Sequence, residues 1–119
     1  MTDCVFCNII NKTTSADLVY EDSEVIVIRD IHPVAPVHLL VIPRRHIESL
    51  DALTPEDAEL VKHLMYTVQK IARQVIGPDP HYRTIINTGA DAGQSVFHLH
   101  IHIIAGRPFV SSLFTRGLR

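Results

Sequence analysis

Apolar and polar positions along the chain fall into several short runs and one long amphipathic stretch. Val25, Ile26, Val27 and Ile28 are β-branched and predict a strand ending near Asp30, with residues 18–21 as a neighbouring strand ahead of the Asp22-Ser23 turn signal. Pro33 and Pro36 break regular structure. Residues 37–43 carry the short apolar run of a buried strand, closed by Pro43 and the basic pair Arg44 and Arg45. Residues 4–10 read as a short helix or turn. Thr54-Pro55-Glu56-Asp57 predicts a helix start, with an N-cap hydroxyl, proline at the first helical position and carboxylates that favour the helix dipole. Val61, Leu64, Met65, Val68, Ile71, Ala72 and Val75 then recur at steps of three and four up to Gly77-Pro78, giving an apolar face that is expected to cover a sheet. Residues 82–88 and 96–104 predict two further strands around a glycine-bearing loop, Gly89 to Gly93. The expected fold class is α+β: an antiparallel sheet of about five strands, one long helix and a short N-terminal helix, in a single domain over residues 1–119.

Composition narrows the function classes. With 119 residues, 46% hydrophobic, 20% charged and a net charge of −2, the chain has the balance of one globular domain and lacks the basic excess expected of a nucleic-acid binder. No apolar run approaches the roughly 18 residues needed to cross a bilayer, and the first residues do not read as a secretion signal, so a cytoplasmic protein is expected. Two cysteines cannot make a disulfide scaffold.

The unusual count is eight histidines. His98, His100 and His102 alternate with Leu99, Ile101 and Ile103, so a strand here would carry imidazoles on one face, spaced about 6–7 Å apart, and aliphatic side chains on the other. Alternate histidines on one strand suit either a zinc ion or covalent chemistry, in which a neutral imidazole attacks an electrophile while its neighbours move protons. Gly93, Gln94 and Ser95 just before them, and Asn87 at the end of the preceding strand, offer neutral donors suited to phosphate oxygens.

Residues 93–104, Gly-Gln-Ser-Val-Phe-His-Leu-His-Ile-His-Ile-Ile, resemble the signature of the histidine triad (HIT) family. Residues 30–43 resemble the family's other recurrent block, and Gly106-Arg107-Pro108 resembles its Hint branch. The resemblance implies a homodimer whose sheets join and an enzyme that cleaves purine nucleoside phosphoramidates at the α-phosphorus. It implies His100 as the nucleophile, with His98, His102, His38 and Ser95 as the other catalytic groups. His102, Ser95, Asn87, Gly93 and Gln94 would meet the phosphate or the leaving group, and Asp30 the ribose hydroxyls. Val5, Phe6, Ile9, Ile28 and Ile31 would form the slot for the base, although ordinary core packing explains each of these five equally well. A dinucleoside polyphosphate hydrolase of the Fhit type, or a nucleotide- or zinc-binding module with little turnover, remains an alternative.

Cys4 and Cys7 form a C-x-x-C pair, which can bind metal, work in redox chemistry or be buried as small residues. Resemblance to bacterial HIT proteins implies that His46 and His98 complete a closed structural zinc site with them. His63 is expected to be solvated, opposite the helix's apolar stripe; His32 and His81 carry no motif. Hint proteins often place tail residues, commonly a tryptophan, near the partner's site, and the tail from Phe109 to Arg119 has none.

Overall fold

The computed structural model describes residues 2–108; the tail discussed above lies outside the described residues. Helix α1 (Val5–Ile10) is followed by strands β1 (Leu18–Glu21), β2 (Val25–Arg29) and β3 (Val37–Pro43), helix α2 (Ala58–Val75), and strands β4 (Arg83–Ile85) and β5 (Ile101–Ala105). The strands form one antiparallel sheet in the order β1-β2-β3-β5-β4. This is the expected α+β architecture, a five-stranded antiparallel sheet with a long helix and a short N-terminal helix.

Alternation along the strands sends side chains to two cores. Val25, Val27, Leu39, Val41, Leu99, Ile101 and Ile103 pack beneath Leu64, Val68 and Ile71 of α2. On the opposite face Ile26, Ile28, Leu40 and Ile42 pack against Phe6 of α1. The α2 stripe differs from the one read off the sequence, since Met65 and Val75 are exposed while Thr67 is buried. Thr67 satisfies its hydroxyl by donating to the His63 carbonyl one turn back, at 2.7 Å. The helix begins as a 3-10 turn over Pro55–Asp57. There the Thr54 N–H donates to Asp57 Oδ2 at 2.9 Å.

Two strands are shorter than their sequence pattern. The strand expected over 82–88 is reduced to Arg83–Ile85, leaving Asn87 beyond its end, and the one expected from residue 96 begins only at Ile101. Pro43, which would continue the β3–β5 ladder, has no N–H. Its carbonyl accepts instead from His98 Nε2 at 2.7 Å, and the Leu99 N–H donates to the Ile47 carbonyl at 2.6 Å. His98 and His100 therefore precede the strand, and only His102 lies on it.

His63 is not the solvated residue expected. Its Nε2 lies 2.7 Å from Asp22 Oδ2, tying α2 to the β1–β2 turn. Burial opposes ionisation of Asp22, yet hydrogen bonds from the Glu24 N–H, the Tyr20 hydroxyl, His63 and the Val25 N–H hold its carboxyl at about 2, against an ordinary 3.8. A carboxyl lowered on folding stabilises the native state above its unfolded value, and that contribution disappears as pH falls through the folded one. Stability is expected to drop by on the order of 2 kcal/mol between pH 4 and 2 on this account alone. Urea denaturation across that range should give a shallower pH slope for Asp22→Asn.

Candidate active site

His38 on β3 and His102 on β5 point to the face that also carries Phe6, and their rings meet with His38 Nε2 2.8 Å from His102 Nδ1. Hydrogen bonds set which nitrogens carry protons. The Val34 N–H donates to His38 Nδ1 at 3.1 Å, so that nitrogen is an acceptor and the proton of a neutral His38 sits on Nε2. It is directed at His102 Nδ1, with Asp30 Oδ2 at 3.4 Å. His102 Nδ1 thus accepts, and the proton of a neutral His102 sits on Nε2. Asp30, expected to meet a ribose, is buried, and its other oxygen accepts from the His32 N–H at 2.8 Å.

His100 is held in the opposite tautomer. Its Nδ1 lies 2.7 Å from the main-chain carbonyl of His98, which can only accept, so a neutral His100 carries its proton on Nδ1 and its lone pair on Nε2. The ring is buried, edge-on to Phe6 with centroids 5.0 Å apart and 5.1 Å from the His102 ring. A neutral imidazole with its lone pair on Nε2 can act as a nucleophile, and one with its proton on Nε2 can donate a hydrogen bond. All three triad imidazoles are buried.

His98 turns the other way. Burial pushes its imidazole below the ordinary value, with the Pro43 carbonyl working in the opposite direction. With Nε2–H on Pro43, its Nδ1 lone pair faces Cys4 Sγ at 3.4 Å, Cys7 Sγ at 3.6 Å and His46 Nδ1 at 3.1 Å; Cys7 Sγ is 3.3 Å from His46 Nδ1. Four ligands at about 2.0–2.3 Å from a tetrahedral zinc ion are separated from one another by roughly 3.3–3.8 Å, and this group comes close to that spacing. Burial and the neighbouring Cys4 push the Cys7 thiol up, which a cation between the two sulfurs would reverse. These four residues are positioned to bind a metal. Asp30, His38 and His102 also bring their ligand atoms together. At 2.8 Å, however, the two imidazole nitrogens are closer than about 3.3 Å, the separation on a shared tetrahedral zinc, and the contact is that of a hydrogen bond.

The loop before the triad divides its tasks. Gln94 is buried and braces the loop, its Oε1 accepting from the Gly89 N–H at 2.9 Å and its Nε2 donating to the carbonyls of Glu48 at 2.8 Å and Val96 at 3.1 Å. The carboxamide expected to meet phosphate is thus engaged with main chain. Gly93 and Ser95 are exposed and Asn87 half-buried. Of the base-slot residues, Phe6 and the partly buried Ile9 of α1 pack in the same core cluster as Ile28, whereas Val5 and Ile31 are exposed, at 40% and 74%. His32 is exposed, and His81 lies at the surface 3.7 Å from Asp79.

Several contributors escaped the sequence reading: the Val34 N–H, the His98 and Pro43 carbonyls, and the guanidinium of Arg107, which donates to the Val34 carbonyl at 2.6 Å. Main-chain groups are common to every residue and leave no sequence signal. Arg107 had one, as part of Gly106-Arg107-Pro108.

Comparison with known proteins gives a consistent set. The family profile described as "Scavenger mRNA decapping enzyme C-term binding" matches residues 3–113. An uncharacterized HIT-like protein of Synechocystis is 44% identical over 107 residues, spanning 90% of this chain and 93% of that protein. Protein HitA of Neisseria gonorrhoeae is 46% identical over 104 residues, 87% and 96% of the two chains. Among solved structures, a histidine triad protein from Clostridium difficile superimposes with a TM-score of 0.87 at 39% identity, covering 93% of this chain and 96% of that one. A HIT family hydrolase from Legionella pneumophila gives 0.84 at 34% identity, with 92% and 97% covered.

Proposed function

The chain belongs to the histidine triad family, and from that membership we propose that it is a nucleotide hydrolase cleaving purine nucleoside phosphoramidates at the α-phosphorus through a nucleotidyl-His100 intermediate. The observation that carries this reading is the 2.7 Å bond from His100 Nδ1 to the His98 carbonyl, which sets the proton of a neutral ring on Nδ1 and its lone pair on Nε2. Solved relatives named as HIT family hydrolases support the reaction class.

In the first step His100 Nε2 forms a bond to the α-phosphorus while the bond from phosphorus to the leaving nitrogen breaks, and the departing amine takes a proton from solvent that the water of the second step gives back. In the second, water attacks the same phosphorus, the bond to His100 breaks, and the nucleoside monophosphate leaves. Donors are needed where negative charge gathers on the non-bridging oxygens, and His102 Nε2–H, the Ser95 hydroxyl, the Asn87 amide and the Gly93 N–H are the groups assigned to them. His38 fixes the tautomer of His102. Asp30 meets the ribose, and Phe6, Ile9 and Ile28, flanked by Val5 and Ile31, border the base.

Cys4, Cys7, His46 and His98 would hold zinc as a closed four-ligand site. When bound, the metal supplies cross-linking of α1 to the sheet rather than chemistry, because no ligand position is left for substrate. Through His98 it steadies the residue whose carbonyl orients the nucleophile.

The functional unit is a homodimer joined at the sheet edge formed by β4, which pairs on its other side with β5. Exposed Met65 and Tyr66 on α2 add apolar surface. Hydrolysis of an adenosine phosphoramidate and a diadenosine polyphosphate, measured side by side, tests the substrate class. Higher kcat/KM is expected for the phosphoramidate. Preference for the polyphosphate would point to the Fhit type, and turnover of neither to a binding module.

A further inference from the structure

Gly106 and Arg107 follow β5 directly and lie against the 31–36 loop. Gly106 has φ +105°, and a Cβ there would stand 2.8 Å from Pro36 Cβ, so only glycine lets the chain turn this close to the loop. That turn brings the Arg107 guanidinium to the Val34 carbonyl at 2.6 Å. Val34 is thereby held at both main-chain atoms, since its N–H donates to His38 Nδ1 at 3.1 Å. Pro33 and Pro36 on either side have no N–H of their own, which limits the main-chain bonds available to steady the loop.

We propose that Arg107 is a positioning residue for the reaction. By holding Val34 it keeps that N–H on His38 Nδ1, which fixes the tautomer of His38 and, one hydrogen bond further on, that of His102. Without the Val34 N–H, Asp30 Oδ2 at 3.4 Å still favours a proton on His38 Nε2, but nothing opposes one on Nδ1 and that tautomer gains population. A proton on Nδ1 would turn the lone pair of His38 Nε2 toward His102 Nδ1. His102 would then carry its proton on Nδ1 and present an acceptor to the substrate in place of a donor. This inference rests on the reading of His102 as a donor to the phosphate or the leaving group.

The test uses the full chain labelled with 15N, with long-range imidazole spectra and phosphoramidate kinetics recorded on Arg107→Ala, Arg107→Lys and Gly106→Ala. In the unsubstituted protein, His38 should be protonated on Nε2. Arg107→Ala is expected to mix the two His38 tautomers and to lower kcat about tenfold, part of the roughly 10²–10³-fold that complete loss of one such donor costs, with KM changed less than about twofold. Arg107→Lys, still able to donate to the carbonyl, should recover most of both readouts. Gly106→Ala leaves the guanidinium in the chain but pushes on Pro36, and it should mix the tautomers by an independent route. Unchanged His38 tautomers in Arg107→Ala would overturn the proposal, as would a loss of turnover expressed in KM alone. Mixed tautomers with unchanged kcat would uphold the lock and overturn the role given to His102.

Discussion

His100→Ala is expected to lose turnover of an adenosine phosphoramidate by on the order of 10⁴-fold or more while still binding a nucleoside monophosphate. The Nε2 lone pair exists because Nδ1 donates to the His98 carbonyl at 2.7 Å, and the neighbouring imidazoles are committed elsewhere. His102 gives its Nδ1 to His38, and His98 gives its Nε2 to Pro43 and turns its Nδ1 toward the cysteines. His102 cannot take over as nucleophile without giving up its buried bond to His38, and the lone pair of His98 is directed at the cysteines. Binding should survive, because removing the ring leaves Asp30 and the groups assigned to the phosphate in place. Retention of most of the activity by this variant, in steady-state assays with purified protein, would remove the covalent mechanism.

The second large effect concerns the cysteines. Purified protein is expected to carry about one zinc per chain, and Cys4→Ser with Cys7→Ser together should abolish it and lower Tm by roughly 10 °C. Cys4 Sγ and Cys7 Sγ join α1 to His98, 94 and 91 residues away in sequence, so losing them frees the N-terminal segment whose Phe6 closes over His100. Turnover should fall by less than about tenfold, because His98 keeps its hydrogen bond to Pro43 and its carbonyl stays near His100. Metal analysis together with thermal melts decides this. Well under one zinc per chain in the unsubstituted protein would contradict the site, and complete loss of activity with an unchanged Tm would contradict its structural role.

Much of this was legible in the residues. The β-branched run of residues 25–28 and the apolar run ended by Pro43 mark strands whose register the sheet then fixes. The Thr54-Pro55 start and the stripe through Leu64, Val68 and Ile71 mark the helix that covers them. The alternation of His98, His100 and His102 pointed to a strand of imidazoles, and there the local pattern misled. A period of two reports side-chain alternation in any extended segment, whereas the ladder depends on partners, and Pro43 has no N–H to continue it. Spacing also could not tell that His98 and His102 serve different groups of side chains. That division comes from a carbonyl on β3 and an N–H in the 31–36 loop, neither of which depends on residue type. The helix stripe failed at Thr67, where a hydroxyl bonded to the turn behind it fills a position that hydropathy alone would give to Met65.

A covalent intermediate adds mass to the protein while substrate turns over, and mass spectrometry of enzyme quenched during turnover of an adenosine phosphoramidate detects it. A population heavier by one nucleotidyl group is expected, mapped to His100 by fragmentation, formed during turnover and absent from His100→Ala. Steady turnover with no adduct on any quenching time, or an adduct on a residue other than His100, would contradict it.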